Sequence, residues 1–304
     1  MATKLTFRRF PPISLRMGAT LETRSSSRDR IMGAVDKLPP FSPVLTKLLA
    51  TLSDDDVSFG EMAGIIETDA VLAGNLLRVV NSPLYGRIST INSVRHAVAI
   101  LGSIKIRNLV LGMSVSRRWA GAKAPANWDG KQFNVHSLAV AVLADLVVLD
   151  TPVPYPEGAF TAGLLHDVGK LLIAVSMPNQ FEILYGVFKA GGDPAKNCEM
   201  DLFGVTHAEI SGAILEKWKL PKQIEEAVTY HHSPDLASGG KPHLAHVVQA
   251  ADHYVNDTGL GMPPYSDPQE AAFSDHAYTL GLHDGILKVA DQFRTEFEAV
   301  RSAF

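Results

Sequence analysis

Residues 163–170, GLLHDVGK, place a histidine beside an aspartate inside an apolar stretch. Burying His166 and Asp167 there is unfavourable unless hydrogen bonds or a cation compensate their polarity. Imidazoles and carboxylates are both ligands of divalent metal ions, so the pair is a candidate metal site. The dipeptide alone is weak evidence, because a second copy, His283-Asp284, lies between two glycines and is typical of a surface turn.

Histidines in similar settings recur on other predicted helices. His136 shares a helix face with alanine, valine and leucine, where a lone histidine is more often a satisfied core residue than a ligand. THAE at 206–209 is a capping box, which fixes His207 in the first turn of a helix, where it could equally be exposed. The adjacent histidines of YHHSP at 230–234 end the next helix, a place where imidazoles commonly favour the helix dipole.

The helix predicted over 243–256 offers three histidines and one aspartate. Asp252 lies beside the stripe of valine and alanine that should face the core. His246 and His253 fall on the wetter face of the same helix. We therefore select Asp252 as a candidate ligand and do not select these two histidines or His243.

Taken in order, these groups form a series that is much more specific than any of its members. Imidazoles with carboxylates and no thiolate suit Fe, Mn, Zn, Co or Ni rather than a cysteine-rich structural zinc site. Two carboxylates among seven groups can serve two neighbouring cations, with Asp167 as the bridge. The idea requires five separate helices to converge on one centre. The series comprises His136, His166, Asp167, His207, His231, His232 and Asp252.

The elements that must position these groups are helices. Helical apolar periodicity dominates the chain, while alternating strand patterns and hairpin signals are scarce, so we predict an all-α protein. The segment AGAKAPANWDGK at 120–131 is typical of a linker or loop between two helical parts. The predicted helices cover 38–56, a segment beginning at Ser58, 72–82, two pieces of 91–115 hinged at Gly102-Ser103, 132–150, 158–175, 179–190, 207–218, 221–232, 243–256 and 284–302.

Length, charge and cysteine content limit the class of protein. The 304 residues suffice for a sizeable core, and the net charge of -4 argues against dedicated nucleic-acid binding. Basic residues outnumber acidic ones through Lys37, and we expect a flexible basic segment over 1–29. Cys198 is the only cysteine, which excludes an intramolecular disulfide, and no uncharged apolar span of about 18 residues is present. We therefore expect a cytoplasmic protein that does not enter membranes.

The order of these residues resembles the HD superfamily of metal-dependent phosphohydrolases. More closely, the chain resembles HDOD domain proteins, the signalling-associated branch of that superfamily. The resemblance runs from about residue 36 to about residue 256. The segments that carry it are LPPFSPVL (38–45), VVNSPLYGRISTINSVRHAVAILG (79–102), LLHDVGKLL (164–172), FGVTHAEISGAILEKWKLP (203–221) and AVTYHHSP (227–234).

The resemblance implies a two-part helical bundle, with an HDOD subdomain over 30–122 and an HD-like metal-binding half over 123–304. It implies metal-ligand roles for all seven members of the series and two divalent ions, with Fe or Mn favoured over Zn, Co or Ni. Lys170 matches the lysine of the HDxGK motif and would contact phosphate oxygens, its alternative being a solvated helix lysine. The chain lacks the Gly-Tyr-Pro loop of HD-GYP phosphodiesterases, and Gln132 stands where some of them supply a glutamate to a third metal.

Two functions are compatible with these features. We favour a signal-transduction protein with an intact, filled metal site and a signalling protein as partner. The alternative is an active phosphohydrolase of a phosphomonoester or phosphodiester such as a nucleotide, with Asp167 and Lys170 as catalytic residues. The expected partner surface is the N-terminal unit, where Asn81, Tyr85, Arg87 and Asn92 cluster around a proline-marked turn. Asparagines commonly cap helices, so these polar residues could instead stabilise the fold.

Overall fold

Helices form the regular structure of the part of the chain that the computed structural model describes. No strand occurs among these residues, which confirms the all-α prediction. The described residues are 21–38, 43–50, 58–82, 90–118, 124–189, 195–239, 241–263, 280 and 286–301.

Local sequence signals begin and end several helices of the N-terminal part. These helices are α1 (Leu21–Asp36), α2 (Pro43–Ala50), α3 (Phe59–Glu67), α4 (Ala70–Val80), α5 (Val94–Leu101) and α6 (Ser103–Arg118). The side chain of Ser58 accepts the N–H of residue 61 at 3.1 Å and so caps α3 as predicted. Asp69 caps α4, whereas α5 is capped by Ser93 rather than by Asn92. Gly102 has a positive φ of 83°, which confirms the predicted hinge between α5 and α6.

The side chain of Asn81, at the end of α4, is hydrogen-bonded to the main chain of Ile91, which precedes α5. Its Oδ1 accepts the N–H of Ile91 at 2.7 Å, and its Nδ2 donates to the carbonyl oxygen of Ile91 at 2.8 Å. A side-chain amide used in this way stabilises the fold, which is the structural alternative to a role for Asn81 in binding a partner. Tyr85 and Arg87, from the same polar cluster, lie outside the described residues.

The C-terminal part contains a longer series of helices. A 3₁₀ turn (Pro156–Gly158) precedes α8, and a π-helical turn (Asn256–Leu260) follows α15. The helices are α7 (Gly130–Val147), α8 (Ala159–Leu165), α9 (Val168–Ser176), α10 (Pro178–Lys189), α11 (Ala195–Phe203), α12 (His207–Lys217), α13 (Lys222–Thr229), α14 (Asp235–Ser238), α15 (Leu244–Val255) and α16 (Ile286–Arg301).

The prediction of a single helix over 158–175 is wrong, because the helix is interrupted between α8 and α9. The break consists of His166 and Asp167. Asp167 has φ −104° and ψ 8°, a combination outside the α-helical region that is frequent at active sites. The apolar periodicity continues through both helices, so the pattern alone does not reveal the interruption.

Two longer helices were not predicted. α1 begins at Leu21, so residues 21–29, expected within the flexible segment, are helical. It packs against α9, α11 and α12, and Lys217 Nζ donates to the carbonyl oxygen of Asp36 at 2.9 Å. α11 was also missed, because its short apolar stripe is interrupted by charged residues. Both helices cover the C-terminal part of the bundle.

One continuous apolar core joins the two parts of the bundle. Its buried side chains extend from Ile31 in α1 to Phe297 in α16. α7 is buried along most of its length and packs against α8, α15 and α16, while α6 packs against α8. The helices of the N-terminal part therefore contact the helix that leads into the 166/167 break.

One described segment, Pro156–Ser176, is long and apolar enough to span a membrane by length and composition. Within the fold, 94% of its 18-residue window is buried against the rest of the protein. The segment also contains the break at His166 and Asp167. A segment buried to this extent has the surroundings of a helix in a protein core.

Two glycines allow helices to approach closely around the break. A Cβ at Gly163 would lie 2.8 Å from the Cα of Ala141 in α7. A Cβ at Gly169 would lie 2.2 Å from the carbonyl oxygen of His207 in α12. Because the opposing atoms are backbone atoms, only the absence of a side chain permits this spacing.

We expect Gly163→Ala to destabilise the protein by about 1–3 kcal/mol, because the new methyl group would push α8 away from α7. Urea unfolding followed by circular dichroism measures the change. Gly186→Ala in α10 is the matched control, since its new methyl group would meet no neighbouring helix within 4 Å. It should leave stability unchanged or raise it by up to about 1 kcal/mol. Equal effects of the two substitutions would contradict this account of the packing.

Candidate metal centre

The seven side chains of the predicted series come together in one cluster. On one side of it, His136 Nε2 lies 3.1 Å from Asp252 Oδ1 and 3.4 Å from Asp167 Oδ2. His166 Nε2 lies 3.2 Å from Asp167 Oδ2 and 3.6 Å from Asp252 Oδ1. Two imidazoles and two carboxylates thus face one another, and each of the four side chains is at most 4% exposed.

On the other side, two imidazoles lie near the second oxygen of Asp167, and a third contacts one of them. His207 Nε2 is 3.4 Å from Asp167 Oδ1, and His231 Nε2 is 4.0 Å from it. His232 Nε2 lies 2.9 Å from His207 Nε2. The two oxygens of Asp167 therefore face different histidine groups, which is the arrangement expected of a bridging carboxylate.

Helix ends and turns position most of these groups. His136 projects from the middle of α7, and His207 is the first residue of α12. The capping box predicted at 206–209 is present, with Thr206 and Glu209 bonded reciprocally. The adjacent histidines at 231–232 follow the C-terminal end of α13. Residues separated by more than a hundred positions thus meet at one point.

Main-chain carbonyl groups orient three of the rings. His136 Nδ1 lies 3.2 Å from the carbonyl oxygen of Leu260. His166 and His231 each place Nδ1 2.7 Å from the carbonyl oxygen three residues earlier. A carbonyl oxygen only accepts hydrogen bonds, so Nδ1 carries a proton and Nε2 is the atom directed into the cluster.

Several buried polar atoms of the cluster make no hydrogen bond. They are Nε2 of His136, His166 and His231 and Oδ1 of Asp167. Buried polar atoms without partners are rare, because each loses its hydration without compensation. A divalent cation would satisfy all of them, and the donor set of imidazole and carboxylate suits such an ion.

Three overlapping groups of the cluster have the spacing of metal ligands, with donor atoms within 4.8 Å of one another. The shared members show that the groups are parts of one centre. The groups are His136 with His166 and Asp167, His166 with His231 and Asp252, and His207 with His231 and His232.

The electrostatics differ between the two sides of the cluster. Burial lowers the pKa of His166, but the negative charges of Asp167 and Asp252 outweigh it and raise this pKa to about 10. Burial opposes ionisation of both carboxyl groups, yet their cationic neighbours hold each pKa well below its usual range. The pKa of His231 falls to about 3, because burial and the charges of His166 and His207 disfavour a further cation.

Lys170 belongs to this centre and is not a solvated helix lysine. It is only 3% exposed, and its Nζ lies 2.6 Å from Asp167 Oδ2. Its ammonium group contributes to the low pKa of Asp167, after the larger effects of burial and His166. The solvated alternative is therefore wrong, while the phosphate contact stays a prediction.

Glu199 contacts the centre through His207 and was not predicted from the sequence. It lies on α11, is fully buried, and accepts hydrogen bonds from the main-chain N–H and Nδ1 of His207, both at 2.8 Å. A usable signal was present in the sequence. Cys198, Leu202 and Phe203 recur at helical spacing with Glu199 among them, which places an acid on an apolar helix face.

Two histidines of α15 were expected on a wetter face, and this was wrong. His246 and His253 are only 5% and 7% exposed. α15 packs against α7, α8 and α13, so more of its circumference is covered than one amphipathic stripe predicts. Neither belongs to the three metal-spaced groups.

Gln132 donates its amide to the carbonyl oxygen of Gly261 at 2.9 Å, so this amide group supports the turn after α15.

Comparisons with known proteins agree with this fold. A solved HDOD domain protein with unknown function from Geobacter sulfurreducens is 25% identical, with a TM-score of 0.76 over 94% of this chain and 99% of that chain. A putative phosphohydrolase from Shewanella amazonensis is 22% identical, with a TM-score of 0.72 over 90% of this chain and 98% of that chain.

Among curated proteins, an uncharacterized protein of Treponema pallidum is 23% identical over 290 residues. The match covers 93% of this chain and 53% of that protein, so the chain spans about half the length of this relative. The HDOD domain family matches residues 38–234, which is more than half of the chain. The chain therefore belongs to the HDOD domain family.

Proposed function

We propose that the chain is a signal-transduction protein whose HD-type centre binds two divalent metal ions. The observation that carries this proposal is the set of buried atoms without hydrogen bonds within metal-spaced groups, namely Nε2 of His136, His166 and His231 and Oδ1 of Asp167. Each of the seven ligand positions of the family pattern is filled by a histidine or an aspartate in this chain. Such a cluster is unfavourable in the absence of a cation and favourable around one.

The arrangement of oxygens supports two ions rather than one. The first ion would be held by His136, His166 and Asp252 together with Oδ2 of Asp167. The second would be held by the three-histidine group, defined as His207, His231 and His232, together with Oδ1 of Asp167. Nitrogen and oxygen donors without thiolate suit Fe, Mn, Zn, Co or Ni, and the resemblance to the HD superfamily favours Fe or Mn among them.

Contacts between the two parts of the bundle support a regulatory role. Thr161 of α8 donates its hydroxyl to the carbonyl oxygen of Asn108 in α6. Asn108 is fully buried and also donates its amide to the hydroxyl of Tyr155 at 3.1 Å. α8 ends immediately before His166. A change at the metal centre would therefore reach the N-terminal helices through direct contacts.

We propose that the N-terminal helices present the surface for a signalling protein partner. Large apolar side chains that are exposed to solvent occur on several of these helices. They are Phe59, Val71, Ile100 and Ile104. Exposed apolar side chains mark a contact site between proteins when they form a contiguous patch, which is what this proposal requires of them.

Phosphoester hydrolysis is the second candidate, favoured by two observations. Lys170 lies beside Asp167 at the centre, where its charge could offset charge on a phosphoryl group. An open cavity of about 520 Å³ lies next to His232 and could admit a phosphoester or nucleotide ligand. Divalent ions at such a centre supply Lewis acidity and acidify a water molecule. The cavity is lined by His232, Ser233, Pro234, Asp235, Leu236, His246 and Gln249.

Metal content tests the proposed centre directly. We expect the purified protein to contain two divalent ions per chain by elemental mass spectrometry. Asp167→Asn should lose both ions, because each oxygen of Asp167 faces one histidine group, and His166→Ala should lose at least the first. His96→Ala, on α5 outside the cluster, is the control and should retain both. A full metal complement in Asp167→Asn would contradict the bridging role.

Metal affinity should fall as the pH is lowered from about 8 to about 6. The pKa of His166 is raised to about 10, so its proton is bound throughout this range and must leave when a metal binds. Each displaced proton weakens the apparent affinity about tenfold for every pH unit. Calorimetric titration in buffers of different ionisation enthalpy measures the released protons directly. An affinity that does not change with pH would show that His166 is not a ligand.

Hydrolysis assays separate the two candidate functions. In the regulatory case, the fully metallated protein should not hydrolyse nitrophenyl phosphate esters or nucleotides. In the enzymatic case, Lys170→Met should keep its metal but lose about 10²–10³-fold in turnover. Lys222→Met, which removes an exposed lysine of α13, is the control. Metal-dependent turnover that Asp167→Asn abolishes would contradict a purely regulatory role.

A further inference from the structure

The ring of His207 is held differently from the other rings of the centre. His136, His166 and His231 direct Nδ1 at main-chain carbonyl groups. His207 Nδ1 instead lies 2.8 Å from Oε2 of Glu199. Glu199 is fully buried on α11, so a carboxyl group has been placed in the interior beside this imidazole and its main-chain N–H.

The start of α12 does not require the charge of Glu199. The capping box of Thr206 and Glu209 already serves the start of that helix. Moreover, the second oxygen of Glu199, Oε1, is buried without a hydrogen-bond partner. A neutral acceptor would satisfy the main-chain N–H of His207 without burying this additional polar atom. The cost of the buried carboxyl group therefore points to a role for its charge.

The distribution of carboxylates around the centre indicates what that role is. Among the imidazoles, those of His136 and His166 lie nearest to Asp252, at 3.1 Å and 3.6 Å from its Oδ1. The three-histidine group shares with that side Asp167, whose Oδ1 lies 3.4 Å from His207 Nε2 and 4.0 Å from His231 Nε2. Three neutral imidazoles and half of a bridging carboxylate leave most of the charge of a second divalent ion uncompensated.

We propose that Glu199 is a positioning residue that enables the three-histidine group to bind the second metal ion. Through Nδ1 it fixes the orientation and tautomer of His207, so that Nε2 remains available as a ligand. Its carboxyl group would strengthen the imidazole as a metal ligand and compensate the ion from one residue away, as carboxylates behind metal-bound histidines do. The inference rests on the proposed two-ion centre.

Glu199→Gln tests this role, because the amide keeps the size and an acceptor oxygen but removes the charge. We expect the first ion to bind with unchanged affinity and the second to bind about 10–100-fold more weakly. Manganese titration by calorimetry measures both affinities. Electron paramagnetic resonance should change from the spectrum of a coupled manganese pair to that of an isolated ion.

Glu209→Gln is the matched control, since it removes a charge from the same helix while glutamine preserves the capping box. It should bind two ions like the wild type. Two ions bound with wild-type affinities by Glu199→Gln would overturn the inference while leaving the two-ion centre intact. Equal weakening of both ions, with a lowered melting temperature of the metal-free variant, would reduce Glu199 to a structural role and also overturn it. A wild-type protein that binds no second ion would overturn the two-ion proposal and this inference together.

Discussion

The carboxylate of Asp167, buried at the break between two helices, is the constraint on which the architecture depends. A buried anion must be surrounded by donors or cations, and here His136, His166 and Lys170 supply them at Oδ2, while His207 and His231 lie within 4.0 Å of Oδ1. Those partners come from helices far apart in the chain. The bundle therefore has to bring α7, α9, α12 and the end of α13 within a few ångströms of one side chain. The glycines at 163 and 169 permit that approach because they remove side chains from the contact surfaces.

The same carboxylate divides the centre into two electrostatically different sides. Near Asp252 the imidazoles hold their protons, as the raised pKa values of His136 and His166 indicate. Near His231 and His232 burial and neighbouring charges keep the imidazoles neutral. Protons on the imidazoles thus balance the negative charges near Asp252. Under our proposal, a metal ion bound by the three-histidine group would instead need a negative charge next to one of its imidazole ligands. Glu199 stands at the position from which that charge can be supplied.

The helix leading into the break links this chemistry to the rest of the protein. α8 is held by α6 through the contacts of Asn108 with Thr161 and Tyr155, and it ends at the first residue of the centre. A bundle built in this way joins the candidate metal centre to the N-terminal helices by direct packing of α6 on α8. Under the regulatory proposal, this connection is the physical route by which a ligand or metal at the centre would alter a partner surface. A hydrolytic centre would need the same cage and, in addition, Lys170 and access from the cavity beside His232.

Local sequence patterns predicted the fold class, the helix starts at Ser58 and Thr206, and the membership of the centre, because periodicity, capping and ligand chemistry depend on residue type and near neighbours. Tertiary packing decided the break at 166/167, the burial of Lys170 and the approach of Glu199 to its imidazole partner. A hydrophobic pattern describes one helix in isolation and contains no information about its second or third neighbour. The sequence by itself thus determined an all-helical chain with a set of side chains of the types that can bind metal ions. Only the tertiary structure decided their distances, their burial and their charges, because these arise from contacts between residues that can be more than a hundred positions apart.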